Sequence, residues 1–228
     1  AGLRFTLAGM LVIVGMSAAQ RRPLVPQARD IKPILTLSLF QTIGQYFFFY
    51  LGLSCASAMS SSIIEASANF LAILFAALAF HTEKLNTAKV LGCALGFAGV
   101  ALVNLSGADG TFGFRLDGEG FILASTVAGA LSTCLIGIFS RKHDGVLLAG
   151  WQFLVGGLVL TAIGFLMGGA LSPTAIIPAI ALIIYMALIS AVAYSLWSRL
   201  LAVNPVSRVS VFGFMNPVFG VLLSALLL

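Results

Sequence analysis

A single carboxylate, Glu65, lies in the apolar part of the run SSSIIEASANFLAILFAALAFHTEK, which covers residues 60–84 and ends in the charged turn HTEK. The run is long enough for one membrane-crossing helix, and a charged side chain inside such a helix is costly unless it faces protein or water. Glu65 falls about two turns inside this helix, so we expect it to bind a cationic group or to carry a proton. The alternative is a neutral carboxyl group that is hydrogen-bonded to a neighbour or that reaches water at the outer surface.

Two tyrosines, Tyr46 and Tyr194, stand 148 positions apart in apolar stretches, with Gln45 and Trp197 close by in the sequence. Aromatic and amide side chains near the middle of a membrane could bind a flat or amphipathic molecule. Packing between helices is the competing explanation for aromatic side chains in such stretches. These four residues are therefore candidate binding residues.

Two asparagines, Asn69 and Asn216, place amide groups in further apolar segments, and Pro217 follows Asn216 directly. The amides could contact a bound molecule or form hydrogen bonds between helices. The carbonyl that Pro217 leaves without a donor could face a cavity, although a plain kink fits equally well. Arg4 could bind an acid at the outer mouth or extend to the membrane surface.

The remaining polar residues give no catalytic constellation. Glu83 and Lys84 are adjacent and predict an ion pair in a turn, while His81 and His143 have no metal-ligand spacing. The chain contains no H-E-x-x-H, G-x-S-x-G or phosphate-loop motif. We therefore expect no enzyme activity, no bound metal, no cofactor and no ATPase, so that any driving force comes from an ion gradient or from the transported molecule itself.

The composition indicates that the solvent of this chain is lipid. Hydrophobic residues make up 60 % of the 228 residues and charged residues only 8 %, whereas a soluble domain has about a quarter of its residues charged. Long apolar runs without period-two alternation favour membrane helices over a barrel. The net charge of +5 is scattered over short loops, which argues against nucleic acid as a partner.

Eight apolar segments account for most of the chain, and the charges between them predict its orientation. The segments are residues 2–19, 33–53, 60–80, 90–105, 121–139, 149–167, 179–201 and 209–228. Because successive loops alternate sides, ten of the twelve Lys and Arg residues fall on one side and only Arg4 and Arg115 on the other. The positive-inside rule places the first side in the cytoplasm.

The segments repeat at a constant offset of 148 positions, which aligns residues 1–80 with residues 149–228. Phe5 meets Phe153 and Tyr46 meets Tyr194 in this alignment, whereas Glu65 meets Gly213. Two helices lie between the copies, so each unit has five helices and the two units have opposite orientations. Inverted repeats of this kind are typical of secondary transporters, with the binding site near the membrane midplane.

Three stretches resemble a known family. GLRFTLAGMLV is similar to the second helix of EamA-type proteins, the ten-helix branch of the drug/metabolite transporter superfamily. Residues 56–104, with Glu83 and the glycines at positions 92, 96 and 99, resemble the fourth and fifth helices, and residues 191–228, with Pro217, resemble the eighth and ninth. The family often has proline where this chain has Asn69, and glycine where it has Thr82. Its first and tenth helices have no counterpart here.

The resemblance implies an all-α, polytopic membrane protein with two EamA-like repeats, residues 1–106 and 117–228. It implies a multi-pass protein of a bacterial inner or plasma membrane that exports a small metabolite, amino-acid-like or drug-like solute by alternating access around a midplane cavity. The expected partners are the lipid bilayer, the solute and protons, and small-residue helix faces also allow a homodimer. A membrane scaffold without transport remains an alternative, followed by an intramembrane enzyme.

Overall fold

The computed structural model describes residues 1–105, 116–169, 176–216 and 219. Regular structure in these ranges is helical, as predicted. The α-helices are α1 (Gly2–Gln20), α2 (Ala28–Leu37), α3 (Gln45–Leu53), α4 (Ala58–Leu74), α5 (Thr87–Leu105), α6 (Glu119–Phe139), α7 (Gly145–Leu166), α8 (Ile176–Val203) and α9 (Val206–Ser210). Two π-helical segments, Ser38–Gly44 and Phe75–Ala79, and one 3₁₀ segment, Val211–Phe214, complete them.

Within the described ranges, six helical segments are long and apolar enough to cross a membrane. They are Gly2–Gln20, Ala28–Leu53, Ser60–Ala79, Glu119–Phe139, Gly145–Leu166 and Pro178–Val203, and a shorter apolar helix covers Thr87–Gly99. These seven correspond to the first seven predicted segments, so the prediction of an all-α, polytopic membrane protein is confirmed. The predicted eighth segment, with Pro217, lies mostly outside the described residues.

Helix starts are fixed by polar side chains that satisfy backbone N–H groups without an intrahelical partner. Asp144 accepts hydrogen bonds from the backbone N–H groups of Val146 and Leu147 at the start of α7, at 2.8 and 3.3 Å. At the start of α2, Asp30 accepts a hydrogen bond from the backbone N–H of Gln27 at 2.8 Å. These caps place the polar turns at the ends of helices that are otherwise apolar.

The second predicted helix is continuous but not uniform. It runs as α2, then the π-helical segment Ser38–Gly44, then α3. A π-helical stretch widens the helix and is frequent at functional sites. This stretch carries three buried polar residues, Ser38, Gln41 and Thr42, and ends directly before Gln45.

The chain divides into two compact units, each assembled from separate parts of the sequence. The first unit is Ala1–Tyr46 with Leu135–Val203, and the second is Phe47–Cys134 with Asn204–Leu228. The first unit has α1 packed against α7 and α8 around the fully buried Phe5 and Phe153. The second unit has α4 packed against α5 and α9, with a core of Ala66, Ile73, Cys93 and Phe214.

Candidate functional site

Four aromatic rings of the first unit form one contact group, the aromatic cluster, made of Phe5, Tyr46, Phe153 and Tyr194. The Tyr46 and Tyr194 hydroxyls share a hydrogen bond. Ring centroids lie 4.4 Å apart for Phe5 and Tyr46, 5.1 Å for Phe5 and Phe153, and 4.9 Å for Phe153 and Tyr194. Two of these contacts, Phe5–Phe153 and Tyr46–Tyr194, join residues that are 148 positions apart.

Helices α1 and α7 cross in a way that repeats this symmetry. Glycines let the two backbones approach closely, so a methyl group added at Gly2, Gly9 or Gly157 would overlap the opposite helix. Four glycine contacts at this crossing form two reciprocal pairs, in which 148 is added to one residue number and subtracted from the other. The pairs are Gly9–Leu154 with Thr6–Gly157, and Gly2–Thr161 with Ile13–Gly150. The crossing is antiparallel, which is the relation expected for inverted repeats.

Arg4 lies beside the aromatic cluster. Its Cζ atom is 4.3 Å from the centroid of the Phe5 ring and 5.3 Å from that of Tyr46. Among the described residues, its buried Nε atom has no hydrogen-bond partner. Aromatic faces attract a guanidinium, so the rings hold the cation within the unit.

The structure places Gln45 and Trp197 at half-buried positions next to the tyrosines along their helices, Gln45 before Tyr46 and Trp197 one turn after Tyr194. A different amide pair is better connected. Gln152 donates a hydrogen bond from Nε2 to Oε1 of Gln41, and both residues are buried. Sequence inspection missed this pair, although a glutamine in the apolar segment of α7 was a visible signal.

Glu65 of the second unit is half-buried on α4 and faces two hydroxyls of α6. Its Oε1 atom accepts from Thr126 Oγ1 at 3.2 Å and from Ser125 Oγ at 3.4 Å. The hydrogen-bonded neighbour considered in the sequence is therefore present. Ser125 and Thr126 were missed because hydroxyl residues are common in apolar helices and give no signal of which face they occupy.

Asn69 lies one turn after Glu65 on α4, and its side chain fills the space beside Gly213. A methyl group at Gly213 would overlap this amide. Asn216 is exposed at the end of the described part of the second unit. Glu65 and Asn69 thus share one helix, while the tyrosine pair belongs to the first unit.

The turn between α4 and α5 corrects one expectation. Glu83 pairs with Lys89, whose Nζ lies 2.7 Å from Oε2, instead of with Lys84. Ser207 also donates to Glu83, from its backbone N–H at 3.1 Å and from its hydroxyl. Burial acts to raise the pKa of Glu83, but the hydrogen bonds from Lys89 and Ser207 and the charge of Lys89 outweigh it, so this pKa lies below its ordinary value.

The sequence model of the EamA-like transporter family matches residues 1–105 and 116–228 of this chain. The chain belongs to this family. A chloroplastic WAT1-related protein of Arabidopsis thaliana is 26 % identical over 228 residues, which are 96 % of this chain and 54 % of the relative. The chain thus spans about half the length of that relative.

Two archaeal relatives are named as uncharacterized transporters. The protein of Archaeoglobus fulgidus is 25 % identical and is covered over 79 % of its length, and that of Acidianus ambivalens is 25 % identical and covered over 78 %. A protein crystal structure has the same fold, with a TM-score of 0.79 and 22 % identity over 97 % of this chain and 75 % of that one. The EamA-like chain is therefore a multi-pass integral membrane protein of a transporter family.

Proposed function

We propose that this EamA-like protein is a secondary transporter that exports a small metabolite, amino-acid-like or drug-like solute by alternating access. The observation that carries the proposal is the Glu65 carboxyl inside α4, where it meets the hydroxyls of Ser125 and Thr126. Ionisable groups at such positions serve ion and substrate pathways in membrane proteins. The solute and the lipid bilayer are its partners, and the membrane is a bacterial plasma membrane in this proposal.

The hydrogen bonds around Glu65 suit a carboxyl group that gains and loses a proton. Thr126 Oγ1 lies 2.8 Å from the carbonyl oxygen of Ile122 as well as 3.2 Å from Glu65. A hydroxyl has only one proton to donate. When Thr126 donates its proton to the Ile122 carbonyl, its contact with Glu65 is a hydrogen bond only if the Glu65 carboxyl is protonated and donates to Thr126 Oγ1. We therefore assign to Glu65 the coupling proton, or alternatively the cationic group of the solute.

The experiment is solute flux in proteoliposomes that contain the full-length protein, with and without a pH gradient. Glu65→Gln keeps the size of the side chain and fixes it in a neutral state, so flux should lose its dependence on the pH gradient. Ser67→Ala is the matched control on α4, because the Ser67 hydroxyl bonds back to the carbonyl of Ile64 at 2.6 Å. Unchanged flux at every pH in Glu65→Gln would remove the residue from the mechanism.

Two other functions would give different results. A membrane scaffold would move no solute in the same proteoliposomes yet would be recovered with a partner protein. An intramembrane enzyme would convert the solute instead of moving it. A homodimer belongs to the same proposal, since Gly92 and Gly99 on α5 have open space around them.

A further inference from the structure

Arg4 lies close to the axis that relates the two repeats. The reciprocal contacts Gly9–Leu154 and Thr6–Gly157 place this axis between residues 6 and 9 of α1. Arg4 precedes Thr6 by two residues, which puts it about 5 Å from the axis along the helix. In inverted-repeat transporters that axis lies in the membrane plane. Arg4 is thus deep in the hydrocarbon region, about 15 Å of which lies on either side of the midplane.

The first unit supplies no carboxylate to neutralise this charge. Its sequence contains two acidic residues, Asp30 and Asp144. Asp30 caps α2 and lies 2.6 Å from Nδ1 of His143, while Asp144 caps α7. Both carboxylates are therefore committed at helix ends, and Arg4 is held by aromatic rings alone within the described part of this unit.

Comparison of the repeats shows that the fold does not need an arginine here. The position equivalent to Arg4 is Gln152, whose amide is paired with Gln41. The position equivalent to Gln41 is Ile189, an exposed aliphatic residue that offers no hydrogen bond. The hydrogen-bond partner that Gln41 provides to Gln152 is therefore absent at the position equivalent to Gln41, where the side chain to be paired, Arg4, carries a charge.

We propose that Arg4 binds an oxyanion of the solute, a carboxylate or a phosphate, beside the rings of Phe5 and Tyr46. The inference rests on the proposed transport function and names its substrate class. Guanidinium and carboxylate or phosphate groups match in a planar, two-point geometry, and such charge-assisted bonds are strong away from water. The aromatic cluster would then contact the apolar part of the same solute.

The test measures binding to the full-length protein in mild detergent by thermal shift and calorimetry. The probes are succinate and lactate as carboxylates, inorganic phosphate and glycerol 3-phosphate as phosphates, L-phenylalanine as a zwitterion, choline as a cation and glycerol as a neutral solute. Arg4→Gln introduces the residue found at the equivalent position, and Arg4→Lys keeps the charge. Arg21→Gln is the control, since Arg21 is exposed at the end of the same helix.

At least one carboxylate, phosphate or zwitterionic probe should stabilise the wild-type protein, and its dissociation constant should rise about tenfold or more in Arg4→Gln. Arg4→Lys should retain part of the affinity, because lysine acts as a point charge. If Arg4→Gln does not fold, the comparison is made between wild type and Arg4→Lys. Arg21→Gln should bind normally. Preference among carboxylates, phosphates and the zwitterion then separates these sources of the oxyanion.

The outcomes separate this inference from the transport function. Silence of all oxyanion probes, or binding that is equal in wild type and a folded Arg4→Gln, overturns the oxyanion site. If Arg4→Gln transports choline or glycerol as fast as the wild type does, the oxyanion site is also overturned, while the transport function stands. Oxyanion binding that depends on Arg4 but is never accompanied by flux supports the site and contradicts transport.

Discussion

At the scale of single residues, the hydrogen bond between Tyr46 and Tyr194 offers a direct test of the aromatic cluster. Each Tyr→Phe substitution removes one hydroxyl and should lower the free energy of unfolding by about 0.5–1.5 kcal/mol. The double variant should lose less than the sum, because both changes remove the same hydrogen bond. Thermal unfolding in detergent measures the cycle.

The exposed Tyr185 on α8 provides the matched control for this cycle. Tyr185→Phe removes a hydroxyl from the same helix at a position outside the aromatic cluster, and its effect should be close to zero. Strict additivity of Tyr46→Phe and Tyr194→Phe would mean that the two hydroxyls do not stabilise each other.

Glu83 gives a prediction about pH. Its pKa lies below the ordinary value of 4.5 in the folded protein, because its hydrogen bonds with Lys89 and Ser207 outweigh the effect of burial. A depressed pKa stabilises the folded state above the unfolded pKa, and this contribution disappears as the pH falls through the folded pKa. Between pH 6 and pH 3, wild type should therefore lose more stability than Glu83→Gln does.

The measurement is the unfolding midpoint of both proteins across that pH range. Ser207→Ala is the companion variant, because it removes one donor and leaves the Lys89 ion pair in place, so its slope should fall between the other two. Parallel curves for wild type and Glu83→Gln would contradict the proposed role of this carboxylate.

The candidate residues show what sequence alone can supply at this scale. The 148-residue offset predicted Tyr46 and Tyr194 as equivalent positions, but it gave no sign that their hydroxyls would share a hydrogen bond. The hydroxyls that face Glu65 could not be predicted, since Ser125 and Thr126 belong to a helix whose rotation depends on packing. Glu83 pairs with Lys89 instead of the predicted Lys84, because the direction of the chain in the turn decides which charge is within reach.

At the scale of helices, the crossing of α1 and α7 depends on glycine. Gly9→Ala or Gly157→Ala would force the added methyl group into the backbone of the opposite helix. Overpacking of this kind costs about 1–3 kcal/mol, and the thermal unfolding midpoint in detergent should fall accordingly.

Two other glycines on the same helices serve as controls. Gly15 on α1 and Gly164 on α7 have open space where a methyl group would lie. Alanine there should be neutral or stabilising by up to about 1 kcal/mol, because alanine favours the helix. Equal effects at all four glycines would show that helix propensity, and not close approach, sets the stability.

The helices themselves were largely predictable because a bilayer leaves the chain few alternatives. Seven predicted segments match observed helices with shifts of a few residues at their ends, such as residues 121–139 against Glu119–Phe139. The π-helical segment Ser38–Gly44 was not predicted. A pattern of apolar residues does not encode such a segment, because its seven residues are too few to show a period of their own.

At the scale of the whole molecule, each compact unit combines segments from both halves of the sequence. The offset predicted which residues are equivalent, and the reciprocal contacts of α1 and α7 agree with it. It could not predict how the segments are shared between units, because that depends on tertiary packing. The proposed repeat boundaries, residues 1–106 and 117–228, remain predictions.

The orientation of the molecule can be tested with one native cysteine. Cys55 is exposed in the turn between α3 and α4, while Cys93 and Cys134 are buried. The distribution of Lys and Arg puts this turn outside the cell, so a membrane-impermeant maleimide added to intact cells should label Cys55. Labelling should disappear in Cys55→Ser.

A new thiol from Arg22→Cys in the Cys55→Ser background lies in a basic loop on the opposite side, so it should react only after the membrane is permeabilised. If Arg22→Cys is labelled in intact cells while Cys55 of the wild-type protein is not, the orientation is reversed and with it the direction assigned to export.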